Sequence, residues 1–198
     1  IEAGQAWAAA NTEADNDAAQ LCNGYPNAGV YCLNLRLHPR EWIRWLESAL
    51  IAARRIKNRQ AEGAHLGNLG TAYLTLGETR KAIEYYEQRL QIAREIGDRR
   101  GEGNALGNLG VAYKNLGETR KAIGYYEQAL VIAREIGDRR GEATDLWNMS
   151  LSLDKLGERE KAIPLAQAAL KIREEIEDPN AEKVRRQLGE WGVGKADG

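Results

Sequence analysis

The sequence predicts an all-α protein, a right-handed solenoid of stacked antiparallel helix pairs. Two observations carry that expectation. One passage is written twice at a spacing of forty residues, and within each copy the apolar residues recur at helical spacing between glycine stops. "ETRKAIEYYEQRLQIAREIGDRRGEG" (78–103) returns as "ETRKAIGYYEQALVIAREIGDRRGEA" (118–143), and residues 61–100 match 101–140 at 31 of 40 positions.

Each copy reads as two helices. In the first copy Leu66, Leu69, Tyr73 and Leu76 form an apolar stripe over about 62–76, and Gly77 ends it. A second helix, about 79–96, turns Ala82, Ile83, Tyr86, Leu90, Ala93 and Ile96 inward and Glu84, Glu87, Gln91 and Arg94 outward, until Gly97 and Asp98 break it. Such a pair cannot cover its own apolar faces, so repeats must stack on one another. Gly70 with Ala82, and Gly110 with Ala122, remove bulk where paired helices cross, and Tyr73 and Tyr86 fill adjacent gaps.

The register extends both ways. Repeats are expected at 60–100, 101–140 and 141–180, with a half repeat, one second helix, at 38–59. Residues 1–37 read as an N-terminal linking region of one or two helices, with "NGYPNAG" as a turn. The third repeat reads as a finishing one: Trp147, Ser150 and Leu153 replace Gly, Gly and Tyr, and Pro164 sits inside its second helix, where it removes a hydrogen bond and favours a bend. A capping helix at about 181–191, with Val184, Leu188 and Trp191 inward and Lys183, Arg185 and Arg186 outward, precedes a frayed tail.

Composition narrows function. The 198 residues carry 28 basic and 29 acidic groups, so no overall field recruits nucleic acid or an anionic membrane. No apolar run approaches a membrane span, and the expected location is cytoplasmic. Ile1 in place of an initiator Met reads as a processed chain or a piece of a longer one. Cys22 and Cys32 lack metal-ligand spacing and read as reduced thiols. His38, before Pro39, reads as a turn residue, and no nucleophile–base motif accompanies it or His65. "GEGNALGNLG" is not a phosphate loop, because Leu106 stands where the last Gly belongs and a helix precedes it. Asn148-Met149-Ser150 is a chance glycosylation sequon. The chain is expected to be no enzyme and to need no cofactor or metal.

"LGNLGTAY" (66–73), followed by Gly77, Ala82 and Tyr86, resembles the tetratricopeptide repeat pattern over about residues 38–180. The 34-residue period and closing Pro are replaced by a longer second helix, with Arg94 or Arg134 near the missing Pro. This extended form is similar to the repeats of kinesin light chains, of Pins/LGN adaptors and of many bacterial signalling proteins. "LNLRLHPREWIRWLESALIAARRI" (33–56) resembles the segment leading into the repeats of bacterial STAND proteins, whose NB-ARC-type ATPase lies upstream. That resemblance implies a sensor end of a longer signalling chain, and no phosphate-binding motif of such an ATPase occurs here.

The resemblance also implies that the first helix of each repeat lines a concave groove for a protein or peptide. That row holds Ala64, Gly67, Asn68, Thr71, Leu74 and Thr75, then Asn104, Gly107, Asn108, Val111, Lys114 and Asn115, then Thr144, Trp147, Asn148, Leu151, Asp154 and Lys155. Asn68, Asn108 and Asn148 recur in all three repeats, and each amide offers a donor and an acceptor suited to a peptide backbone. The other reading is that each Asn bonds a neighbouring repeat. Four of the nine positions that differ between the first two repeats lie in the row. The arginines of Pins/LGN grooves and the Lys/Arg carboxylate clamp of chaperone adaptors are absent from the matching positions. Arg99, Arg100, Arg139 and Arg140 read as bend residues pairing with Glu102 and Glu142.

Residues 141–180 carry 5 basic and 9 acidic groups against 6 and 5 in 101–140, which predicts an acidic end near Asp145, Asp154 and Glu158 and a partly basic partner. The alternative to a peptide-binding module is a structural or intramolecular scaffold with an empty groove. A reader of single-stranded RNA is disfavoured, because the row lacks the basic and aromatic residues that stack on bases.

Overall fold

Glycine stops and apolar stripes at the predicted spacing produce helices throughout. The computed structural model describes residues 2–13, 15–33 and 39–193, and among them there are ten α-helices and no strand. The backbone divides into two compact units, Ile1–Gly101 and Glu102–Gly198.

The N-terminal unit contains α1 (Glu2–Asn11), α2 (Asn16–Leu33), α3 (Pro39–Arg55), α4 (Arg59–Thr75) and α5 (Thr79–Ile96). "NGYPNAG" does not form the expected turn: its backbone lies within α2, Pro26 included. α2 packs on α3, which covers most of the second helix expected at 38–59. Small side chains allow the approach, with Ala8, Ala19, Cys22 and Ala52 forming a fully buried cluster. Burial raises the Cys22 thiol above its ordinary pKa, in keeping with an inert reduced cysteine. His38, most of the final tail and the side chain of Cys32 lie outside the described residues.

The C-terminal unit contains most of α6 (Arg99–Asn115), then α7 (Thr119–Glu135), α8 (Arg139–Lys155), α9 (Arg159–Glu175) and α10 (Ala181–Glu190). α9 runs through Pro164 without interruption. In α10, Val184 and Leu188 are buried as expected, and Trp191 is half-buried at the helix end.

Repeated sequence gives repeated fastenings. Asn58, Asp98 and Asp138 each accept a backbone N–H three residues on (Ala61, Gly101 and Gly141), capping α4, α6 and α8. In the N-terminal unit Glu62 is gripped by Arg54 at 2.8 Å and by Arg59 at 2.6 Å, and Arg59 also reaches Glu95. In the C-terminal unit Glu142 is gripped by Arg134 at 2.9 Å and Arg139 at 2.6 Å, and Arg139 reaches Glu175 at 2.5 Å. The expected pairing of Arg139 with Glu142 is therefore present.

The outer faces repeat too. Tyr73 stacks on Tyr85 with ring centroids 5.3 Å apart and Lys81 Nζ 4.0 Å over Tyr73. Tyr113, Tyr125 and Lys121 do the same at 5.2 and 3.8 Å. In the third repeat both tyrosines are replaced, by Leu153 and Leu165, and Lys161 turns to Glu158 at 2.8 Å instead.

Candidate functional site on the first-helix face

The predicted row lies on α4 in the N-terminal unit and on α6 and α8 in the C-terminal unit. Asn68, Asn108 and Asn148 are each half-buried, and their side chains make no hydrogen bond to any described residue. Among the described residues no hydrogen bond ties any of the three amides to a neighbouring repeat. An amide held in a partly desolvated position without a partner is free to bond an incoming backbone.

The other predicted residues divide by what their side chains already do. Thr71 donates to Gly67 O at 3.1 Å and shares a 3.2 Å bond with Tyr86 Oη, and Thr75 donates to Thr71 O at 2.9 Å, so both hydroxyls serve their own repeat. Asn104 and Asn115 are exposed, while Val111 and Leu151 are half-buried. Trp147 is only 6% exposed and forms a wall rather than a projecting surface. Lys114 is half-buried, and its pKa lies below the ordinary lysine value, first because of burial and then because Lys155 and Lys183 are near.

That lysine group overturns the expected acidic end. Among the acids that predicted it, Asp145 is buried, Asp154 is held by Arg159 at 2.7 Å, and Glu158 is held by Arg120 at 2.7 Å and Lys161 at 2.8 Å. Counting charge along the chain ignored which face each side chain joins. Among the described residues, Lys114, Lys155 and Lys183 lie near one another beside this row and form no ion pair.

A cavity of about 390 Å³ opens there between α8, α9 and α10, lined by Arg140, Trp147, Asn148, Arg173, Asp178 and Lys183 among others. Arg173 stands where the first two repeats bury Ala93 and Ala133, and it is itself only 5% exposed. It donates from Nη1 to Asp178 Oδ2 at 2.6 Å, while Asp178 Oδ1 accepts from Asn180 N at 2.9 Å and from Asn180 Nδ2 at 2.7 Å. The Asn180 bonds, with Arg173 and Arg140 nearby, hold the Asp178 carboxyl below its ordinary pKa. Both carboxylate oxygens of Asp178 are therefore committed, yet Arg173 Nε is buried without an acceptor. Arg140 and Lys183 are exposed and form no ion pair with a described residue. Lys183 is thus outward as expected, whereas Glu142 pairs with Arg139 and Arg134 and not with Arg140, contrary to the expected bend pairing.

The corresponding place in the N-terminal unit is a smaller cavity of about 140 Å³, lined by Gly63, Ala64, Ile92 and Ala93 with Arg89. Arg89 was also missed. Its guanidinium lies over Gly67, where a Cβ would stand 2.8 Å from Cζ, so the absence of a side chain at 67 lets it reach the first-helix face. Arg89 is one of the nine positions that differ between the first two repeats, and Ala129 is its counterpart.

A family model for the tetratricopeptide repeat matches residues 41–95 and 101–175, more than half of the chain. The chain belongs to the tetratricopeptide repeat family. Solved structures of related shape include aspartyl phosphate phosphatase F from Bacillus subtilis (TM-score 0.76, 17% identity, covering 92% of this chain and 50% of that one). A STAND protein with a tetratricopeptide repeat sensor from Pyrococcus horikoshii is similar at TM-score 0.74 and 22% identity, over 92% of this chain and 31% of that one. A Rap protein in complex with Competence and Sporulation Factor is similar at TM-score 0.75 and 16% identity, over 87% and 47%. This tetratricopeptide repeat chain spans half the length or less of each of these proteins. No curated protein sequence matches it. The family fold is an interaction module, generally non-catalytic, and no described helix is long and apolar enough to cross a membrane.

Proposed function

We propose that this tetratricopeptide repeat domain binds a protein or peptide segment along the first-helix face, as the sensor part of a bacterial STAND-type signalling protein. Asn68, Asn108 and Asn148 contact the backbone of the bound segment, and Val111, Lys114, Leu151 and Trp147 shape the surface beside it. The observation that carries this reading is that all three amides are half-buried and without a hydrogen-bond partner among the described residues. Support comes also from two proteins of related shape, one whose repeats are named a sensor and one held in a complex with a factor. Binding would shift how the repeats sit against an upstream part of the parent chain, through differential affinity for two arrangements.

The test compares the chain with the double variant Asn68→Ala and Asn108→Ala in affinity capture from the source cell's lysate, with thermal melting of both. A partner lost by the variant at unchanged melting temperature is the expected result. The same partners captured by both would contradict the groove.

A further inference from the structure

We propose that the cavity between α8, α9 and α10 is an anion subsite that takes an Asp or Glu side chain of the bound peptide. The inference rests on the groove reading above and specifies the chemistry of the partner at one end of it.

Three features converge on one ligand class. Arg140 and Lys183 line the cavity and form no ion pair with a described residue, although Arg140 lies near Asp178, and Arg173, nine-tenths and more buried, keeps Nε–H without an acceptor. The one acid in the lining, Asp178, accepts from Arg173 and Asn180 and bonds neither Arg140 nor Lys183, so a single carboxylate is set against three cations there. The buried wall of Trp147 offers apolar contact to the methylenes of an acidic side chain, and the free amide of Asn148 stands in the same lining to bond the adjacent backbone. A carboxylate accepts several N–H bonds at once and gains most where the donors are charged and partly desolvated. Beyond the cavity, Lys114 and Lys155 extend the cationic surface along α6 and α8, so acidic residues at further positions of the same peptide are favoured.

The site is distinct in origin from the repeated row. Arg173 occurs only where the third repeat replaces a buried Ala, and Lys183 belongs to α10. The site is a feature of the third repeat with α10, not of each repeat.

The test pans a phage-displayed library of random dodecapeptides against the chain, then measures selected peptides by fluorescence anisotropy on four proteins. These are the unaltered chain, Arg140→Glu with Lys183→Glu, the conservative Arg140→Lys, and Asn108→Ala with Asn148→Ala. Arg173 is left intact because it anchors Asp178. The expected result is enrichment of Asp and Glu, roughly a tenfold or greater loss with the charge-reversed pair, near-retention with Arg140→Lys, and weaker binding as NaCl rises. Peptides without acidic enrichment that bind the charge-reversed pair unchanged, but not the Asn pair, would overturn the subsite and leave the groove standing. Peptides whose binding vanishes when a free C-terminus is amidated would overturn the side-chain assignment. No selectable peptide at all would overturn both.

Discussion

The ring of Tyr86 occupies the space that a side chain on Gly70 would need: a Cβ there would stand 2.5 Å from Tyr86 Cε1. Tyr126 lies on Gly110 in the same way, and in the third repeat both members change together, to Ala166 and Ser150. Ser150 is fully buried in the room the missing ring leaves, and its hydroxyl donates to Trp147 O at 2.8 Å. Residue size at these two positions is thus one shared quantity.

Gly110→Ala is expected to destabilise the protein by about 1–3 kcal/mol, because the fully buried Tyr126 ring has no free direction in which to yield. Gly124→Ala, also mid-helix but with nothing within 4 Å of the added Cβ, is expected to stabilise by up to about 1 kcal/mol. Urea denaturation of both variants checks the opposite signs. Adding Tyr126→Ala to Gly110→Ala should recover less than additive loss, since the two residues contend for one volume.

The bends after the second helices supply another test. Gly97 and Gly137 take φ of 70° and 68°, and at the same repeat position Lys57 and Glu177 are held at 54° and 53°. A side chain there costs about 1–2 kcal/mol, partly offset by the greater freedom of an unfolded glycine. Glu177→Gly should therefore raise stability by about 0.5–1 kcal/mol, and a fall in melting temperature would contradict the strain.

Much of this was legible in the sequence because it depends on period and on residue size. The helix pairs, the glycine bends and most of the inward faces of α5 and α10 follow from spacing, but Ile96, expected inward, is exposed at the end of α5, and Ile92 is buried one turn earlier in its place. "NGYPNAG" misled because the helix penalties of Gly, Pro and Asn are a weak prior that tertiary packing can offset, and α2 packs on α1 and α3. The three Asn positions were legible because they repeat, whereas their lack of partners needed coordinates. The charge of the groove was not legible. It depends on which acids are already paired, as Asp154, Glu158 and Asp178 are, and a count along the chain treats them as free. One signal was available: Arg173 at a position filled by Ala in both earlier repeats announces a charge buried for a reason.

Stability should depend on pH through Asp145, which occupies the repeat position of His65 and Ala105. Burial, and secondly Asp138, push its carboxyl from 3.8 up to about 7. As pH rises from about 4 to 7 the unfolded chain releases a proton that the folded chain retains, so stability falls over that window and levels off above it. Asp145→Asn lacks this loss and should match the unaltered chain near pH 4, then exceed it by an amount on the order of a few kcal/mol above pH 7. His65 works in the opposite direction. Burial lowers its pKa despite its 2.8 Å bond to Asn23, so it costs stability as pH falls below its ordinary value, and the comparison of variant with parent removes that contribution. Urea titrations of both proteins across pH 4–8 measure the difference.

The claim that the first-helix face receives a peptide through free asparagine amides is tested most directly by NMR. The Nδ2 resonances of Asn68, Asn108 and Asn148 would be followed while a library-selected peptide is titrated in. The account predicts that these three side-chain amides shift together and saturate with the peptide, as they acquire their missing partners. Saturable binding that leaves all three unmoved and perturbs only the outer faces of α5, α7 or α9 would contradict it.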